Sequence, residues 1–349
     1  MEIKTGCTKG FICHWFNEII ILSDGNVTTC CQDAKGENVY ANIYEHSFEE
    51  VKQRFADYRK RLTMVPDCLP RCSMCFNKYR SQPEGVATFN VQLDAAPEQI
   101  QAYLQNSETA SGYLVIEPTV HCTLKCRGCI HGKEDMNKFR TSGFLDIERL
   151  KSWIAPHLPQ IKNIRYYNYG ETFIHPKAIE FCAFVKKETP EISLTVATNG
   201  MPLNSMEKRR QLIRSGVDAL YFSIHGSCQH SVEQYMTDKF DFEKMMEILS
   251  DLAAMRKEMG QNKPELVWKY ILFEWNDTDE HIRRAKDLAC RAGVDSVLFT
   301  LTSAPSPSKR FTPKSHEWKK LTKGLSFLWE YAASWPCQPR RCNFEEEHI

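Results

Sequence analysis

The sequence lacks any excess of charge of one sign. It has 45 Lys and Arg residues against 44 Asp and Glu residues, which gives a formal net charge of +1, and it contains no long basic run. Nucleic acids are bound by clustered positive charge that follows the phosphate backbone. The composition therefore gives no support for nucleic acid as a partner.

The sequence also lacks a long apolar run. Near its start, the apolar run Ile19 to Leu22 is short, whereas roughly 20 residues are needed to span a bilayer as a helix. The first residues do not have the layout of a signal peptide. We therefore expect a cytoplasmic protein with no membrane partner.

Cysteine, in contrast, is abundant. The 349-residue chain has 15 Cys, an odd number, and several of them stand in Cys-x-x-Cys spacings. A disulfide scaffold is typical of small secreted chains, and no export signal is evident here. The cysteines are therefore predicted to bind a metal or an iron–sulfur cluster.

From about residue 112 onward, β-type runs alternate with amphipathic helical stretches. The predicted strands are Gly112–Pro118, Ile164–Tyr169, Ser193–Thr198, Ala219–Ile224, Leu266–Phe273 and Ser296–Leu301. The predicted helices are Asp146–Ile161, Pro176–Glu188, Met206–Ser215, Asp241–Glu258, Thr278–Ala292 and Ser315–Ala333. Six βα units in succession indicate an α/β fold with a parallel sheet and right-handed crossovers. Since six units are too few for the eight-fold barrel, we expect an open, partial (β/α)6 barrel.

Four segments are predicted along the chain. Residues 1–80 form a small cysteine-rich module with one helix from Ser47 to about Leu62, and such a module needs a cross-link to hold a core. Residues 81–111 are a connector, residues 112–312 the partial barrel, and residues 313–349 a C-terminal helix and a cysteine-containing tail.

A cysteine triplet follows the first barrel strand. Cys122, Cys126 and Cys129 form a CxxxCxxC arrangement. A [4Fe–4S] cluster is normally held by four thiolates, so three on one loop leave one iron open to another ligand. The alternative is a zinc site, in which His121 or His131 would supply the fourth ligand.

Three further motifs stand where the second, third and fourth strands end. They are Tyr167–Glu171, Thr198–Gly200 and Ser223–Gly226. Active sites of such folds lie at the C-terminal ends of the strands. Together with the triplet, these motifs resemble the radical S-adenosylmethionine (SAM) superfamily over roughly residues 112–305.

The resemblance implies a cofactor site. SAM would occupy the open iron through its amino and carboxylate groups. Gly170 and Glu171 would hold the methionine ammonium, and Asn199 and Ser223 would contact the ribose and the methionine carboxylate. Many members of the family have an aromatic residue beside adenine immediately before the third cysteine, where this chain has Gly128. We therefore expect the segment Tyr270–Trp275 to contact adenine.

The N-terminal cysteines resemble a second family feature. The spacing of Cys13, Gly25 and Cys30 is similar to that of the SPASM/twitch auxiliary-cluster module. This resemblance implies an auxiliary [4Fe–4S] cluster, with the module placed before the barrel instead of after it. The implied ligands are Cys13, Cys30, Cys72 and Cys75, and the alternate ligands are Cys7 and Cys68.

Two other cysteine groups need an interpretation. Cys68, Cys72 and Cys75 also form a CxxxCxxC arrangement, but no strand leads into it, so it is not interpreted as the radical-generating site. The tail pair Cys337 and Cys342 is either unliganded or part of a second auxiliary cluster.

The resemblance implies an enzyme that cleaves SAM reductively to a 5′-deoxyadenosyl radical. The radical would abstract a hydrogen atom from a small polar substrate, such as a carbohydrate, giving dehydrogenation or epimerisation. Cys228 and Tyr235 are candidate hydrogen-atom donors to a substrate radical. An external one-electron donor such as flavodoxin or ferredoxin would supply the electron. The alternatives are a peptide-modifying maturase and a non-enzymatic zinc or iron–sulfur scaffold or electron-transfer protein.

Overall fold

The computed structural model describes residues 10–65, 69–81, 91–329 and 332–337. The predictions for Cys7, Cys68 and Cys342 lie outside these residues. Within the described helices, none is both long and apolar enough to cross a membrane.

The chain divides into two compact units. The first comprises Met1–His121, Met136–Gly170 and Lys187–Ser193, and the second comprises Cys122–Asp135, Glu171–Lys186 and Leu194–Ile349. The boundaries predicted at residues 80, 111 and 312 remain predictions.

Thirteen strands are described. They are β1 (Gly10–Cys13), β2 (Ile19–Ile21), β3 (Asn26–Thr28), β4 (Ala41–Asn42), β5 (Val91–Ala95), β6 (Tyr113–Ile116), β7 (Asn163–Arg165), β8 (Ser193–Thr198), β9 (Ala219–Ser223), β10 (Glu265–Ile271), β11 (Ser296–Thr300), β12 (Ser326–Trp329) and β13 (Ala332–Pro336).

Eleven α-helices are described. They are α1 (Phe48–Met64), α2 (Pro70–Ser81), α3 (Pro97–Gln105), α4 (Ser107–Ala110), α5 (Ile147–Ile154), α6 (Ala178–Glu188), α7 (Met206–Arg214), α8 (Gln229–Met236), α9 (Phe242–Glu258), α10 (Asp279–Arg291) and α11 (His316–Leu321).

In the first unit, strands of the cysteine-rich segment pair with barrel strands. The strand order is β7-β6-β2-β3-β4, and β2 runs parallel to β6 while β3 and β4 follow antiparallel. All three isoleucines of β2 are completely buried. The turn between β2 and β3 contains Gly25 at φ +82°, where a Cβ would lie 2.5 Å from the ring of Tyr44. Only glycine fits this turn, because the left-handed backbone and the close ring both exclude a side chain.

A buried ion pair lies at the end of β6. Glu117 accepts a hydrogen bond from Arg140 Nε at 2.9 Å, and both side chains are completely inaccessible to solvent. The same carboxylate accepts hydrogen bonds from the backbone nitrogens of Ser23 at 3.1 Å and Tyr169 at 3.3 Å. Arg140 also donates to the carbonyl oxygen of Ala34 at 2.8 Å. One carboxylate thus fixes the ends of three segments in the first unit, with its desolvation offset by several hydrogen bonds.

In the second unit, β8, β9, β10 and β11 are successive parallel neighbours. Helices connect each pair, as parallel strands require. The helices are α7 between β8 and β9, α8 and α9 between β9 and β10, and α10 between β10 and β11. At the edge of this sheet, β13 pairs antiparallel with β11 and β12 pairs antiparallel with β13.

The predicted α/β class is confirmed, and each of the six predicted strands is present as one of β6 to β11. The helix predicted over Ser315–Ala333 is wrong beyond Leu321. Gly324 takes φ +74° and ends the helical conformation. The residues that follow form β12 and β13, of which β13 pairs with β11 and β12 with β13, so strand pairing outweighs local helical periodicity there.

Candidate functional site

The cysteine triplet lies on a tightly wound loop of the second unit. The backbone nitrogen of Cys129 donates to the carbonyl oxygen of Cys126 at 3.0 Å, and the nitrogen of Gly132 donates to that of Cys129 at 3.1 Å. A Cβ at Gly132 would lie 2.4 Å from the oxygen of Cys126. Glycine therefore lets the chain wrap closely around the three thiols.

The three thiols influence one another electrostatically. Burial is the main cause that raises the pKa of Cys122 to about 11 and that of Cys126 to about 12, and negative charge on Cys129 contributes to both shifts in the same direction. Thiolates are the ligands of iron–sulfur clusters, and cluster binding would compensate this mutual repulsion. The donor set of the loop thus fits a cluster with one iron left open.

Nitrogen donors lie close to the sulfur of Cys122. The backbone nitrogen of Leu124 is 3.5 Å from it, and Nδ2 of Asn199 is 3.8 Å from it. Within the described residues, no group of three or more His, Cys, Asp or Glu side chains is arranged to hold a single metal ion. A four-iron cluster does not need its thiolates gathered around one atom, because each sulfur binds a different iron.

The carboxylate of Glu171 is buried and satisfied by its own chain. It accepts hydrogen bonds from Thr198 Oγ1 at 2.6 Å, from the backbone nitrogen of Asn199 at 2.6 Å and from that of Phe173 at 3.2 Å. Burial raises the pKa of this carboxyl, while the three hydrogen bonds act in the opposite direction. Glu171 therefore fixes the start of the segment after β8, whose first residue is Asn199.

Asn199 joins that segment to the cysteine loop. Its Nδ2 donates to Thr123 Oγ1 at 3.2 Å, and its Oδ1 accepts from the backbone nitrogen of Met201 at 3.0 Å. The structure thus brings three predicted site residues, Cys122, Glu171 and Asn199, into one connected network. Thr123 and Thr198 belong to the same network. Thr198 was part of the motif Thr198–Gly200 without a role of its own, and Thr123 was not predicted, because a threonine beside a motif carries no specific signal in one sequence.

Gly170 takes a left-handed backbone conformation in the first unit. Its φ is +84°, and a Cβ there would lie 2.2 Å from the carbonyl oxygen of Thr119. No other residue fits this position without moving the backbone. The requirement for glycine is therefore structural, and its predicted contact with the methionine ammonium remains a prediction.

The remaining predicted residues of the second unit lie at or after the end of β9. Ser223 is the last residue of β9 and is paired with Lys269 of β10. Cys228 precedes α8, and its Sγ donates to Ser231 Oγ at 3.4 Å. Tyr235 lies near the end of α8, and its carbonyl oxygen accepts from the backbone nitrogen of Arg127 at 2.9 Å.

Tyr235 fills the space beside Gly128. A Cβ on Gly128 would lie 2.8 Å from the Tyr235 ring and 2.5 Å from Pro305. Burial and then negative charge on Cys126 and Cys129 raise the pKa of the Tyr235 phenol. The absence of a side chain at position 128 therefore lets an aromatic ring from α8 approach the cysteine loop.

A column of stacked rings continues from Tyr235. Its ring centroid is 4.8 Å from that of Phe273, which is 4.6 Å from that of Trp275. Tyr270 and Phe273 are completely buried, whereas Trp275 is half-buried. The expected adenine contact from Tyr270–Trp275 stays a prediction, with Trp275 its most accessible aromatic ring.

The four predicted auxiliary ligands line one pocket of the first unit. Cys13, Cys30, Cys72 and Cys75 share it with the apolar residues Phe11, Trp15, Phe16, Leu62 and Val91 and with Thr29, Gln32 and Arg71. Burial is the main cause that raises the pKa of Cys13 to about 11, and negative charge on Cys75 contributes in the same direction. Four thiols on one apolar pocket fit a cluster with four protein ligands. Of the predicted tail pair, Cys337 lies within the described residues, and its backbone nitrogen donates to the carbonyl oxygen of Asp295 at 2.8 Å. Its role stays a prediction.

The two cysteine-containing regions each match a family model. The family model described as the radical SAM superfamily matches residues 116–263, and the model of the SPASM iron–sulfur cluster-binding domain matches residues 13–76. The chain therefore carries a radical SAM domain over residues 116–263, and a SPASM domain over residues 13–76 precedes it. The radical SAM domain implies a [4Fe–4S] cluster and SAM, and the SPASM domain implies auxiliary iron–sulfur clusters.

One similar curated protein is the tungsten-containing aldehyde ferredoxin oxidoreductase cofactor-modifying protein of Pyrococcus furiosus. It is 28% identical over 196 residues, which are 54% of this chain and 51% of that protein. The chain thus matches about half the length of this relative.

Two solved structures are similar over larger parts of the chain. One is TYW1 with a lysine-pyruvate adduct bound, with a TM-score of 0.43 and 15% identity over 63% of this chain and 78% of that one. The other is Streptococcus suis SuiB, with a TM-score of 0.41 and 12% identity over 82% of this chain and 60% of that one. Both scores are below 0.5, so neither likeness supports a conclusion about function.

Proposed function

We propose that this chain is an enzyme that generates a 5′-deoxyadenosyl radical at Cys122, Cys126 and Cys129. The observation that carries the proposal is the network in which Glu171 and Asn199 connect the end of β8 to the loop of these three mutually interacting thiols. Bound at this loop, SAM and a reduced [4Fe–4S] cluster supply a radical able to abstract a hydrogen atom from an unactivated C–H bond. A flavodoxin- or ferredoxin-type protein would deliver the electron.

The chain's own residues would bind and orient the cofactor. Glu171 holds the backbone of Asn199, whose side chain in turn reaches Thr123 and Cys122. We propose that this arrangement holds the amide of Asn199 at the cysteine loop, where it would contact bound SAM. Ser223 would complete the proposed contacts with the ribose and the methionine carboxylate of SAM.

Radical generation is tested by replacing Cys122, Cys126 and Cys129 together with Ala. With SAM and a strong reductant, the wild-type protein should form 5′-deoxyadenosine, whereas the triple variant should form none and retain its N-terminal iron. Cys290→Ala, a half-buried thiol on α10, is the matched control. Cofactor cleavage by the triple variant would move the radical-generating site elsewhere in the chain.

We propose a small polar molecule as the substrate. The name of the curated relative states that it modifies a cofactor, and a cofactor is a small molecule and not a ribosomal peptide. This supports the small substrate over the peptide-modifying alternative. The two are distinguished by incubating the enzyme with candidate small molecules and, separately, with a panel of peptides, and by measuring the turnover of each by mass spectrometry.

The fate of the substrate radical decides between dehydrogenation and epimerisation. In an epimerisation, Cys228 or Tyr235 would return a hydrogen atom. In deuterated water, an epimerase incorporates one solvent deuterium at an unchanged oxidation level, and Cys228→Ala or Tyr235→Phe stops that incorporation. A product that has lost two hydrogens and carries no deuterium assigns dehydrogenation and excludes both donors.

A further inference from the structure

Arg59 of α1 is a completely buried cation. Its guanidinium donates to the carbonyl oxygens of Phe16 and Tyr103, to Asn17 Oδ1 at 2.7 Å and to Ser107 Oγ at 3.1 Å. All these acceptors are neutral. Arginine is almost never fully buried unless it is paired with a negative charge, and none of these contacts supplies one.

Arg59 lies behind the turn from Cys13 to Phe16, because it donates to the carbonyl oxygen of Phe16, whose backbone nitrogen donates to the carbonyl oxygen of Cys13 at 3.1 Å. Among the described residues, its electrostatic interactions are with Tyr103, Cys13, Tyr40 and His14, and none of these is a carboxylate. Tyr103 stacks beneath the guanidinium, 3.8 Å from ring centroid to Cζ, and its hydroxyl donates to the carbonyl oxygen of Cys13 at 2.9 Å. Arg59 thus packs directly behind the turn that carries one proposed ligand of the auxiliary cluster.

Asn38 approaches a second proposed ligand from another side. Its side chain is 2% exposed, and Nδ2 donates to Cys72 Sγ at 3.2 Å and to Thr29 Oγ1 at 3.1 Å. Its Oδ1 accepts from the backbone nitrogen of Arg71 at 3.1 Å, which fixes the amide orientation. The loop is held by Asp33, whose carboxylate accepts from the nitrogen of Asn38 at 2.9 Å.

We infer that Arg59 and Asn38 are positioning residues that raise the reduction potential of the auxiliary cluster. Reduction adds one negative charge to a cluster held by Cys13, Cys30, Cys72 and Cys75. A buried cation behind Cys13 and an N–H···S hydrogen bond to Cys72 both stabilise that added charge, because cluster potentials follow net charge and hydrogen bonds to the sulfurs. The auxiliary cluster is thereby a better one-electron acceptor than its four thiolates alone would make it.

The test is a redox titration of the reconstituted full-length protein, followed by electron paramagnetic resonance. The Cys122/Cys126/Cys129→Ala variant identifies the auxiliary signal. Arg59→Met and Asn38→Asp should each shift its midpoint to more negative values, by at least a tenfold change in the reduction equilibrium, which is about 59 mV for one electron. Arg59→Lys, which keeps the charge, should retain most of the wild-type potential.

The controls separate an electrostatic role from a purely structural one. Arg54→Gln removes an exposed cation from the same helix and should leave the midpoint unchanged. If Arg59→Met retains the auxiliary cluster with an unchanged midpoint, the inference for Arg59 is overturned. If Arg59→Met loses the cluster, the midpoints of Asn38→Asp and Arg59→Lys decide. A more negative midpoint in Asn38→Asp with little change in Arg59→Lys supports the inference, and any other result overturns it. About four irons per wild-type chain, instead of the eight of two four-iron clusters, would also overturn it, while leaving radical generation at Cys122, Cys126 and Cys129 intact.

Discussion

Replacing Glu171 tests how the cofactor site is built. Its carboxylate accepts three hydrogen bonds from Thr198, Asn199 and Phe173 and is 2% exposed as a residue. Glu171→Ala leaves three buried donors without a partner, each worth about 1–3 kcal/mol. Since a cavity of this size partly admits water, we expect a loss of about 2–5 kcal/mol in the free energy of unfolding.

The same change should weaken SAM binding. A hydrogen bond to a charged group contributes about 1.5–3 kcal/mol, which corresponds to roughly a 10- to 150-fold rise in the dissociation constant. Because the carboxylate is already satisfied internally, we expect this loss to act through displacement of Asn199, and therefore to accompany the loss of stability. Cluster content should stay intact.

The assay is equilibrium binding of SAM to the cluster-loaded protein, with urea unfolding of the same variants. Thr198→Val is the matched control, because it removes one of the three donors and leaves the carboxylate in place. It should show a smaller loss in both measurements. Unchanged SAM affinity in Glu171→Ala would show that Tyr169, Gly170 and Glu171 merely end the strand, and a loss of affinity without a loss of stability would assign direct contact instead.

Three further predictions concern stability. Glu117→Ala breaks a fully buried ion pair and should cost about 3–5 kcal/mol in urea unfolding, whereas Glu247→Ala in an exposed pair should change the free energy of unfolding little; equal losses would contradict this. Gly170→Ala should lower the melting temperature sharply because its Cβ would lie 2.2 Å from Thr119 O, and an unchanged melting temperature would refute that geometry. Burial and then the charge of Lys269 lower the pKa of His225 from 6.5 to about 3. Between pH 3 and pH 6.5 the unfolded chain therefore binds more protons than the folded one, and the free energy of unfolding should fall as pH drops below 6.5. His225→Gln should show a flatter dependence of this free energy on acid pH.

The parts of the fold that local pattern determines were predictable. The strands β6 to β11 are short apolar runs between amphipathic helices, and the cysteine spacing by itself marks the loop after β6. The helix predicted through Ala333 fails where Gly324 intervenes and where pairing with β11 decides the conformation. Pairing between distant strands leaves no trace in a single-sequence periodicity.

The same limit applies to the residues around the auxiliary site. Arg59 stands in a helix rich in charged residues, where sequence alone indicates a solvated side chain. Its burial depends on Tyr103 and Phe16, which are distant in the chain. Asn38 likewise gives no sign of its contact with Cys72, because amide side chains in loops are common.

The parallel pairing of β2 with β6 has a consequence for how this protein can be divided. Removing residues 1–80 would remove β2, the strand that pairs with β6. It would expose a row of unpaired backbone N–H and C=O groups along Leu114, Val115 and Ile116, which are apolar and buried in the intact chain. Such an exposed edge is a template for intermolecular β-pairing. A truncated radical SAM domain should therefore aggregate when expressed alone, and the cysteine-rich segment acts as the built-in cover of that edge as well as a cluster carrier.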